Sequence, residues 1–212
     1  MSTTELVPTE AGEARITYHR AAEPRAVLAL GHGAGGGTGA RDLVALAGEL
    51  PARGITVALV EQPWRVAGKK LGPAPKTLDL GWRPVAELLA GQGLPLVVGG
   101  RSAGARVACR TGAATGAVGV VALAFPLHPP GRPERSRAEE LLGSGLPTLV
   151  VQGAADPFGG PGEFPELPEG HELVALPYGN HGFEVPKRAS VGQREVLDLI
   201  CSSVGDWVLA LV

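Results

Sequence analysis

Ser102 is the residue of this sequence whose surroundings best suit a nucleophile. It lies in Gly100-Arg101-Ser102-Ala103-Gly104, after an apolar run that ends at Val98 and before a helix-forming stretch that begins at Ala105. On a sharp strand-to-helix turn a serine is held in a strained backbone conformation, and glycines two positions away let neighbouring elements approach. The pattern alone is weak because the chain has 32 glycines. Its context predicts a nucleophile elbow.

A serine hydroxyl is a poor nucleophile at neutral pH, so it needs a histidine to take its proton and an acid to orient that histidine. Asp156 and His181 follow Ser102 in the order Ser, Asp, His, which distinguishes one serine hydrolase fold from the others. Each comes in a loop after a predicted strand. The alternatives are that Asp156 starts a turn with Pro157 and that His181 is a surface loop residue. The remaining aspartates lie in or beside predicted helices or at the wrong point in this order: Asp42, Asp79, Asp198 and Asp206.

Two backbone amides are predicted to stabilise the oxyanion that forms when Ser102 attacks an acyl carbon. One is the N–H of Ala103, which begins a helix whose positive end favours an anion. The other is the N–H of Ala34, in the loop Gly31-His32-Gly33-Ala34-Gly35-Gly36-Gly37 after a predicted strand. Two interpretations of His32 stay open: it orders this loop by hydrogen bonding, or it packs below the site.

Composition and charge exclude several classes of protein. The chain has 212 residues, 44% of them hydrophobic, and a net charge of −2, which predicts one domain over residues 1–212 and no binding of nucleic acid. No apolar run approaches the roughly 20 residues of a membrane span, and the start lacks the features of a signal peptide. We therefore expect a cytoplasmic protein without a membrane partner. Cys109 and Cys201 have no metal-ligand spacing, so we expect reduced thiols, no metal and no cofactor.

Short β-branched runs alternate with longer amphipathic stretches, which indicates βαβ units and a mainly parallel sheet. Arg15–His19 alternates between apolar and polar residues and is predicted at an edge. The loops Gln62–Pro75, Pro126–Pro133 and Pro157–Pro168 each follow a strand, where open α/β sheets form their ligand crevice. The predicted strands are Arg15–His19, Val27–Leu30, Ile55–Val60, Leu96–Val98, Val118–Ala124, Thr148–Val151 and Glu172–Leu176. The predicted helices are Asp42–Arg53, Arg83–Ala90, Ala103–Arg110, Arg137–Leu142 and Gln193–Leu211.

With these residues in place, the sequence resembles the α/β-hydrolase superfamily from Arg15 to the final helix. It is similar in particular to a small capless group of predicted hydrolases, related to dienelactone hydrolases and to the hydrolase-like subunit of a nuclear histone-acetyltransferase assembly. Four loops carry the resemblance: Gly31 to Gly36, Gly99 to Arg106, Phe125 to Gly131 and Asp156 to Gly159.

The resemblance implies a three-layer α/β-hydrolase fold, with a mostly parallel central sheet, helices on both faces and no large cap domain. It does not imply a particular substrate. Ala105 departs from the glycine expected after the elbow. Dienelactone hydrolases proper use a cysteine where this chain has Ser102, so their chemistry is not carried over.

The predicted pocket is shallow and open. Only residues 125–147 separate the strands Val118–Ala124 and Thr148–Val151, which leaves no room for the helical lid of large lipases. His128 either faces the substrate or fixes its proline-rich loop, and Arg101 either pairs with a substrate carboxylate or braces adjacent loops. Trp64 and the cations of its loop either admit an acidic or aromatic acyl group or are simply a solvated loop. The candidate substrate-binding residues are therefore His32, Arg101, His128 and Trp64.

A dinucleotide site is the main rival for the glycine-rich loop. Gly31 to Gly36 satisfies Gly-x-Gly-x-x-Gly after a strand, and Glu61 ends the next strand. The dinucleotide fingerprint needs its last glycine inside a helix, whereas Gly37-Thr38-Gly39 follows here and the next helix is predicted to start only near Asp42. This rival also leaves Ser102 and its partners unexplained.

The sequence thus predicts a serine hydrolase, of carboxylesterase or thioesterase type, that forms an acyl-enzyme with a small ester or thioester. The alternative is a noncatalytic binding or scaffold module on the same fold, because a fold does not prove an activity. The expected partner is a small acyl substrate, and the chain is expected to be a monomer or a homodimer.

Overall fold

A computed structural model describes residues 2–212, and its centre is an eight-stranded sheet. The strands are β1 (Thr3–Thr9), β2 (Gly12–His19), β3 (Ala26–Gly31), β4 (Ile55–Glu61), β5 (Leu96–Arg101), β6 (Gly119–Leu123), β7 (Thr148–Gly153) and β8 (His171–Leu176). The strand order is β1-β2-β4-β3-β5-β6-β7-β8. β1 and β2 pair antiparallel, as do β2 and β4, and the remaining neighbours are parallel.

Helices cover both faces of the sheet, which confirms the three-layer α/β architecture expected from the sequence. The helices are α1 (Arg41–Glu49), α2 (Pro63–Val66), α3 (Pro75–Ala90), α4 (Ala103–Thr111), α5 (Ala138–Leu142) and α6 (Gln193–Leu211). Side chains of α1 and α6 pack on one face, and those of α2, α3, α4 and α5 pack on the other. Within the described residues, the segment between β6 and β7 contains only a short turn and α5, so no cap domain covers the sheet.

The central strands are buried along their length, as expected for strands with helices on both faces. Every residue of β3 and β6 is buried. In β2, burial alternates: Ala14, Ile16 and Tyr18 are buried, and the residues between them are partly exposed.

The prediction that Arg15–His19 forms an edge strand is wrong. β1 lies outside it and pairs with it from Arg15 to Tyr18. The alternation in β2 reflects a sheet face that is covered on one side only. The sequence pattern did not reveal β1, because Val7 is its only buried residue and the strand depends on its partner rather than on its own hydrophobic pattern.

α3 begins earlier than the sequence indicated, at Pro75 rather than Arg83. Pro84 and Gly81 lie inside this helix, and both are residues that usually interrupt one. A Cβ on Gly81 would lie 2.7 Å from Oε1 of Gln62 and 2.9 Å from Cδ of Pro63. The glycine therefore lets α3 pack closely against the start of α2.

The crossing of β3, β5 and α4 brings three backbones unusually close together. A Cβ on Gly100 would lie 2.5 Å from the carbonyl oxygen of Gly31, and one on Gly104 would lie 2.6 Å from the same group. Gly100 also has φ 156°, in the region that favours glycine. Ala105, where a glycine was expected, is completely buried at the same crossing. The glycines that flank Ser102 are therefore a packing requirement.

No helix among residues 2–212 combines the length and the apolar character needed to cross a bilayer.

Gly104→Ala should destabilise the protein by about 1–3 kcal/mol, because the added methyl group meets backbone atoms of Gly31 that cannot move aside alone. The free energy of unfolding in urea, followed by far-UV circular dichroism, measures this. Gly48→Ala is the matched control: it lies in α1 with nothing within 4 Å of an added Cβ, and should stabilise the protein by about 0.5–1 kcal/mol. Equal effects of the two substitutions would contradict the packing argument.

Candidate active site

Ser102 lies on a strained turn between β5 and α4. Its backbone has φ 54° and ψ −114°, a positive φ that costs of order 1–3 kcal/mol for a residue other than glycine. The N–H of Ser102 donates a hydrogen bond to the carbonyl of Leu123 in β6 (2.9 Å), and the carbonyl of Ser102 accepts one from the N–H of Arg106 (3.2 Å). These two bonds hold the turn from both sides, so the hydroxyl projects beyond the carboxyl end of the sheet.

The structure brings together Ser102, His181 and Asp156, which are far apart in the sequence. Nε2 of His181 lies 2.9 Å from the hydroxyl of Ser102, and Nδ1 lies 2.8 Å from Oδ2 of Asp156. An ionised carboxylate only accepts hydrogen bonds, so Nδ1 carries a hydrogen and Nε2 presents its lone pair to the serine hydroxyl. This is the arrangement in which an imidazole can remove the proton of a serine.

Asp156 is itself fixed by other groups. Its side chain has no exposed surface. Oδ1 accepts a hydrogen bond from the N–H of Phe158 (2.9 Å), and Oδ2 accepts one from the side-chain amide of Gln152 (3.1 Å). The carboxylate therefore has little freedom to turn away from His181. Gln152 and Phe158 were not singled out from the sequence, although both lie within four residues of Asp156.

The loop that carries His181 is held by contacts on several sides. The ring of Phe158 stacks on the imidazole with a centroid separation of 4.2 Å. The side chain of Asn180 accepts hydrogen bonds from the N–H groups of Gly182 and Glu184. The guanidinium of Arg101 donates a hydrogen bond to the backbone carbonyl of His181.

Arg101 is anchored in turn by Asp42. Nε of Arg101 lies 3.2 Å from Oδ2 of Asp42, whose side chain is 1% exposed. Burial raises the pKa of Asp42, and the nearby Arg101 charge opposes that shift. Of the two interpretations of Arg101, these contacts favour a brace between loops, although its side chain also lines the pocket at Ser102.

Ala34 and Ala103, the predicted oxyanion donors, both line the pocket beside Ser102. Neither amide donates a hydrogen bond to another group within residues 2–212. The carbonyl of Ala34 accepts a hydrogen bond from the N–H of Gly72 (2.8 Å), so the loop Gln62–Pro75 supports the donor loop from behind. A Cβ on Gly33 would lie 3.5 Å from Cβ of Ser102, which shows how closely the two loops approach.

His32 orders the glycine-rich loop. The N–H of Gln62 donates to its Nε2 (3.1 Å), so that nitrogen is the acceptor and Nδ1 must carry the hydrogen, which is donated to the carbonyl of Gly33 (2.9 Å). In a planar trans peptide the carbonyl and the following N–H point in opposite directions. By fixing the Gly33 carbonyl, His32 therefore fixes the direction of the Ala34 N–H.

Trp64 does not lie in the pocket at Ser102, contrary to its prediction as a substrate-binding residue. It lines a separate pocket of about 310 Å³ with Gln62 and Lys69, and its ring packs edge-on against His32 at 5.3 Å. α2, which begins at Pro63, turns this side chain beneath the glycine-rich loop.

His128 also lies outside the lining of the pocket at Ser102. Nδ1 is 2.9 Å from the carbonyl of Pro129, and Nε2 is 3.0 Å from the carboxylate of Glu163. These contacts favour the interpretation in which His128 fixes its proline-rich loop. The Pro129 carbonyl, and after it Glu163, raise the pKa of His128.

The pocket at Ser102 has a volume of about 450 Å³. Loops that follow β3, β5, β6, β7 and β8 meet there, as the crevice argument predicted. Arg106, Arg137 and Phe158 are lining residues that were not singled out from the sequence, because long side chains reach the pocket from other elements. The lining comprises Gly33, Ala34, Gly35, Gly36, Arg101, Ser102, Ala103, Arg106, Pro126, Arg137, Phe158 and His181.

A second serine–histidine contact differs from the first. Ser144 and Nε2 of His171 are 3.3 Å apart, but Ser144 is 2% exposed and its hydroxyl also bonds to Thr148 and to the carbonyl of Leu146. Nδ1 of His171 has no hydrogen-bond partner within residues 2–212. This pair therefore has neither an orienting acid nor access to substrate.

Among the described residues, no group of three or more His, Cys, Asp or Glu side chains is arranged to hold a metal ion.

Comparison with known proteins assigns the chain to a family. The sequence pattern of the Alpha/beta hydrolase domain matches residues 24–209. The chain belongs to the α/β-hydrolase domain family. This confirms the resemblance seen in the sequence. No curated protein sequence matches the chain.

Solved structures share this fold. A lidless α/β serine hydrolase from Xanthomonas campestris is 22% identical, with a TM-score of 0.71 over 99% of this chain and 94% of the other. A dienelactone hydrolase from Anabaena variabilis is 16% identical, with a TM-score of 0.77 over 100% and 98%. An α/β serine hydrolase homologue from Coxiella burnetii is 16% identical, with a TM-score of 0.74 over 95% and 97%. At these identities the likeness establishes the α/β-hydrolase fold.

Acidification should remove the stability that neutral His32 provides. Burial lowers the pKa of His32 in the folded protein, whereas an unfolded histidine titrates near pH 6.5, about its ordinary value. The stability that neutral His32 provides is fully present above that pH. It is lost as the pH falls below it, because the unfolded chain then takes up a proton that the folded chain does not.

The stability advantage of the native protein over His32→Gln should therefore shrink between about pH 7 and pH 5. The free energy of unfolding in urea, measured for both proteins at several pH values, tests this. A difference that stays constant over this range would show that His32 is not held neutral.

Proposed function

We propose that this α/β-hydrolase is a serine hydrolase that acts on a small ester or thioester through an acyl-enzyme. The proposal rests on the contacts from Ser102 through His181 to Asp156, at 2.9 Å and 2.8 Å, and on the position of Ser102 and His181 in the lining of a pocket. Membership of the family and the likeness to capless serine hydrolases support the hydrolase class.

In the first step, Nε2 of His181 takes the proton of Ser102 as the serine oxygen attacks the acyl carbon. Asp156 stabilises the imidazolium that results. The negative charge on the former carbonyl oxygen is stabilised by the N–H groups of Ala34 and Ala103, and donors of this kind are each worth roughly 10²–10³ in rate. His181 then gives its proton to the leaving alcohol or thiol.

In the second step, His181 takes a proton from water, which attacks the acyl-enzyme and releases the acid. The proton then returns to Ser102, so the side chains end as they began. The two steps use the side chains of Ser102, His181 and Asp156, two backbone amides and water. Because no cap domain covers the sheet within residues 2–212, water reaches the acyl-enzyme without a prior opening step.

A fluorophosphonate probe, which needs an activated serine, should label the native protein and should not label Ser102→Ala. His181→Ala should also abolish labelling. Ester hydrolysis by these variants should fall by roughly 10⁴–10⁶-fold, as is typical when a catalytic triad loses a member.

Ser144→Ala is the matched control, because it removes the other histidine-bonded serine. It should keep the label as long as circular dichroism shows a folded protein. Absence of labelling in the folded native protein would contradict the proposal and favour the noncatalytic binding module.

His32→Gln should lower kcat by roughly 10–100-fold with little change in KM, because a freed Gly33–Ala34 peptide aims its N–H less well at the oxyanion. Steady-state kinetics with a nitrophenyl ester measures the two constants. His19→Gln, which alters a histidine on β2 outside the pocket lining, should leave both constants near their native values. A change in KM alone would argue against an oxyanion role for Ala34.

A further inference from the structure

The charged side chains that line the pocket at Ser102 are arginines. They are Arg101, Arg106 and Arg137, and no carboxylate lies among the lining residues within 2–212. A pocket lined by one sign of charge favours a substrate of the opposite sign. An arginine that is already paired with a carboxylate of the protein contributes little to this preference.

Arg101 and Arg106 are already paired. Arg101 contacts Asp42. Nε and Nη2 of Arg106 both donate to the carboxylate of Glu140, at 2.7 Å and 2.6 Å. This two-point contact uses the edge of the guanidinium that recognises carboxylates.

Arg110, which is on the same helix as Arg106, also contacts Glu140 and binds a second carboxylate, that of Asp79. It donates two hydrogen bonds to Asp79 and a third to Glu140. In this cluster, the three guanidinium groups of Arg106, Arg110 and Arg137 share only two carboxylates. One positive charge is left without an acidic partner.

That charge belongs to Arg137. Nη1 donates to the carbonyl of Pro126 (3.0 Å), and Nε and Nη2 have no partner within residues 2–212. The backbone N–H of Arg137 donates to the carbonyl of Leu127 (2.7 Å), so the residue is anchored at both ends. Burial, and after it the Arg106 charge, lower the pKa of Arg137. The Glu140 charge opposes this lowering only in part, and an anion bound directly at Arg137 would oppose it further.

We propose that Arg137 is a substrate-binding residue that pairs through its Nε–Nη2 edge with a carboxylate of the substrate. The preferred substrates are then esters or thioesters that carry a free carboxylate, such as half-esters of dicarboxylic acids. This inference rests on the proposed function and adds the substrate class. One free guanidinium edge matches one carboxylate in both geometry and charge.

Two matched pairs of esters test the inference. The first pair is the 4-nitrophenyl half-ester of adipic acid and its methyl ester, which differ in a carboxylate on the acyl side. The second pair is 4-acetoxybenzoate and its methyl ester, which differ in a carboxylate on the leaving-group side. In at least one pair the native enzyme should show a kcat/KM roughly 10–100-fold higher for the anion, as expected for a charge-assisted hydrogen bond.

Arg137→Gln should remove that preference by lowering kcat/KM for the anionic ester far more than for its neutral partner. Arg135→Gln is the matched control, because it removes an exposed arginine of the same segment and should keep the preference. If Arg137→Gln does not fold, Arg137→Lys tests the inference instead. It keeps the charge but not the two-point edge, and should show a smaller ratio of anionic to neutral kcat/KM than the native enzyme.

Two results would overturn the inference: no preference for the anion in either pair, or a preference that Arg137→Gln or Arg137→Lys leaves at the native size. Fluorophosphonate labelling separates this failure from failure of the proposed function. A protein that is labelled at Ser102 but ignores the carboxylate remains a serine hydrolase with a different substrate class. A protein that is not labelled is no serine hydrolase.

Discussion

The contact between the backbones of β3 and α4, at Gly31 and Gly104, sets the positions of the groups around Ser102. The distance left between these backbones excludes even a methyl group. α4 therefore starts directly over the end of β3, and Ser102 must take a positive φ to join β5 to it. The same contact brings the glycine-rich loop after Gly31 alongside the start of α4. The serine hydroxyl and the amides of Ala34 and Ala103 therefore share one pocket.

The contacts that position His181 are built on this turn. Arg101, the residue before Ser102, donates to the His181 carbonyl and is anchored by the buried carboxylate of Asp42. On the other side of the pocket, His32 fixes the peptide between Gly33 and Ala34 from a position buried under the loop. In both cases a buried polar residue restrains the direction of a backbone group. Asp42 does so through Arg101, and His32 does so directly.

Much of this arrangement could be predicted from the sequence because it depends on local patterns. Loops after parallel strands meet at one edge of a sheet, so the positions of Ser102, Asp156 and His181 after three such strands already indicated that they converge. The glycines around Ser102 were informative because close packing admits no other residue there. β1 could not be predicted in this way, because its exposed sequence becomes a strand only through pairing with β2.

The remaining differences come from side chains whose destination depends on packing. Trp64 is in the predicted loop, but α2 turns it under His32 and away from Ser102. Arg137 carries no local signal, since its importance comes from the unequal number of arginines and carboxylates in a cluster drawn from α3, α4 and α5. These pairings could not be predicted from the sequence, because they depend on how the helices pack. Arg106 and Arg110 lie on a different helix from Glu140, and Asp79 lies on a third.

The contacts on His181 link its position to that of Ser102. Ser102 and Arg101 are adjacent, and one contacts the imidazole while the other holds the carbonyl of the same histidine. Two adjacent residues thus hold the side chain and the backbone of His181. If the sheet flexes or the loop after β8 shifts, we expect the nucleophile and its base to move together, because Ser102 and Arg101 both hold His181.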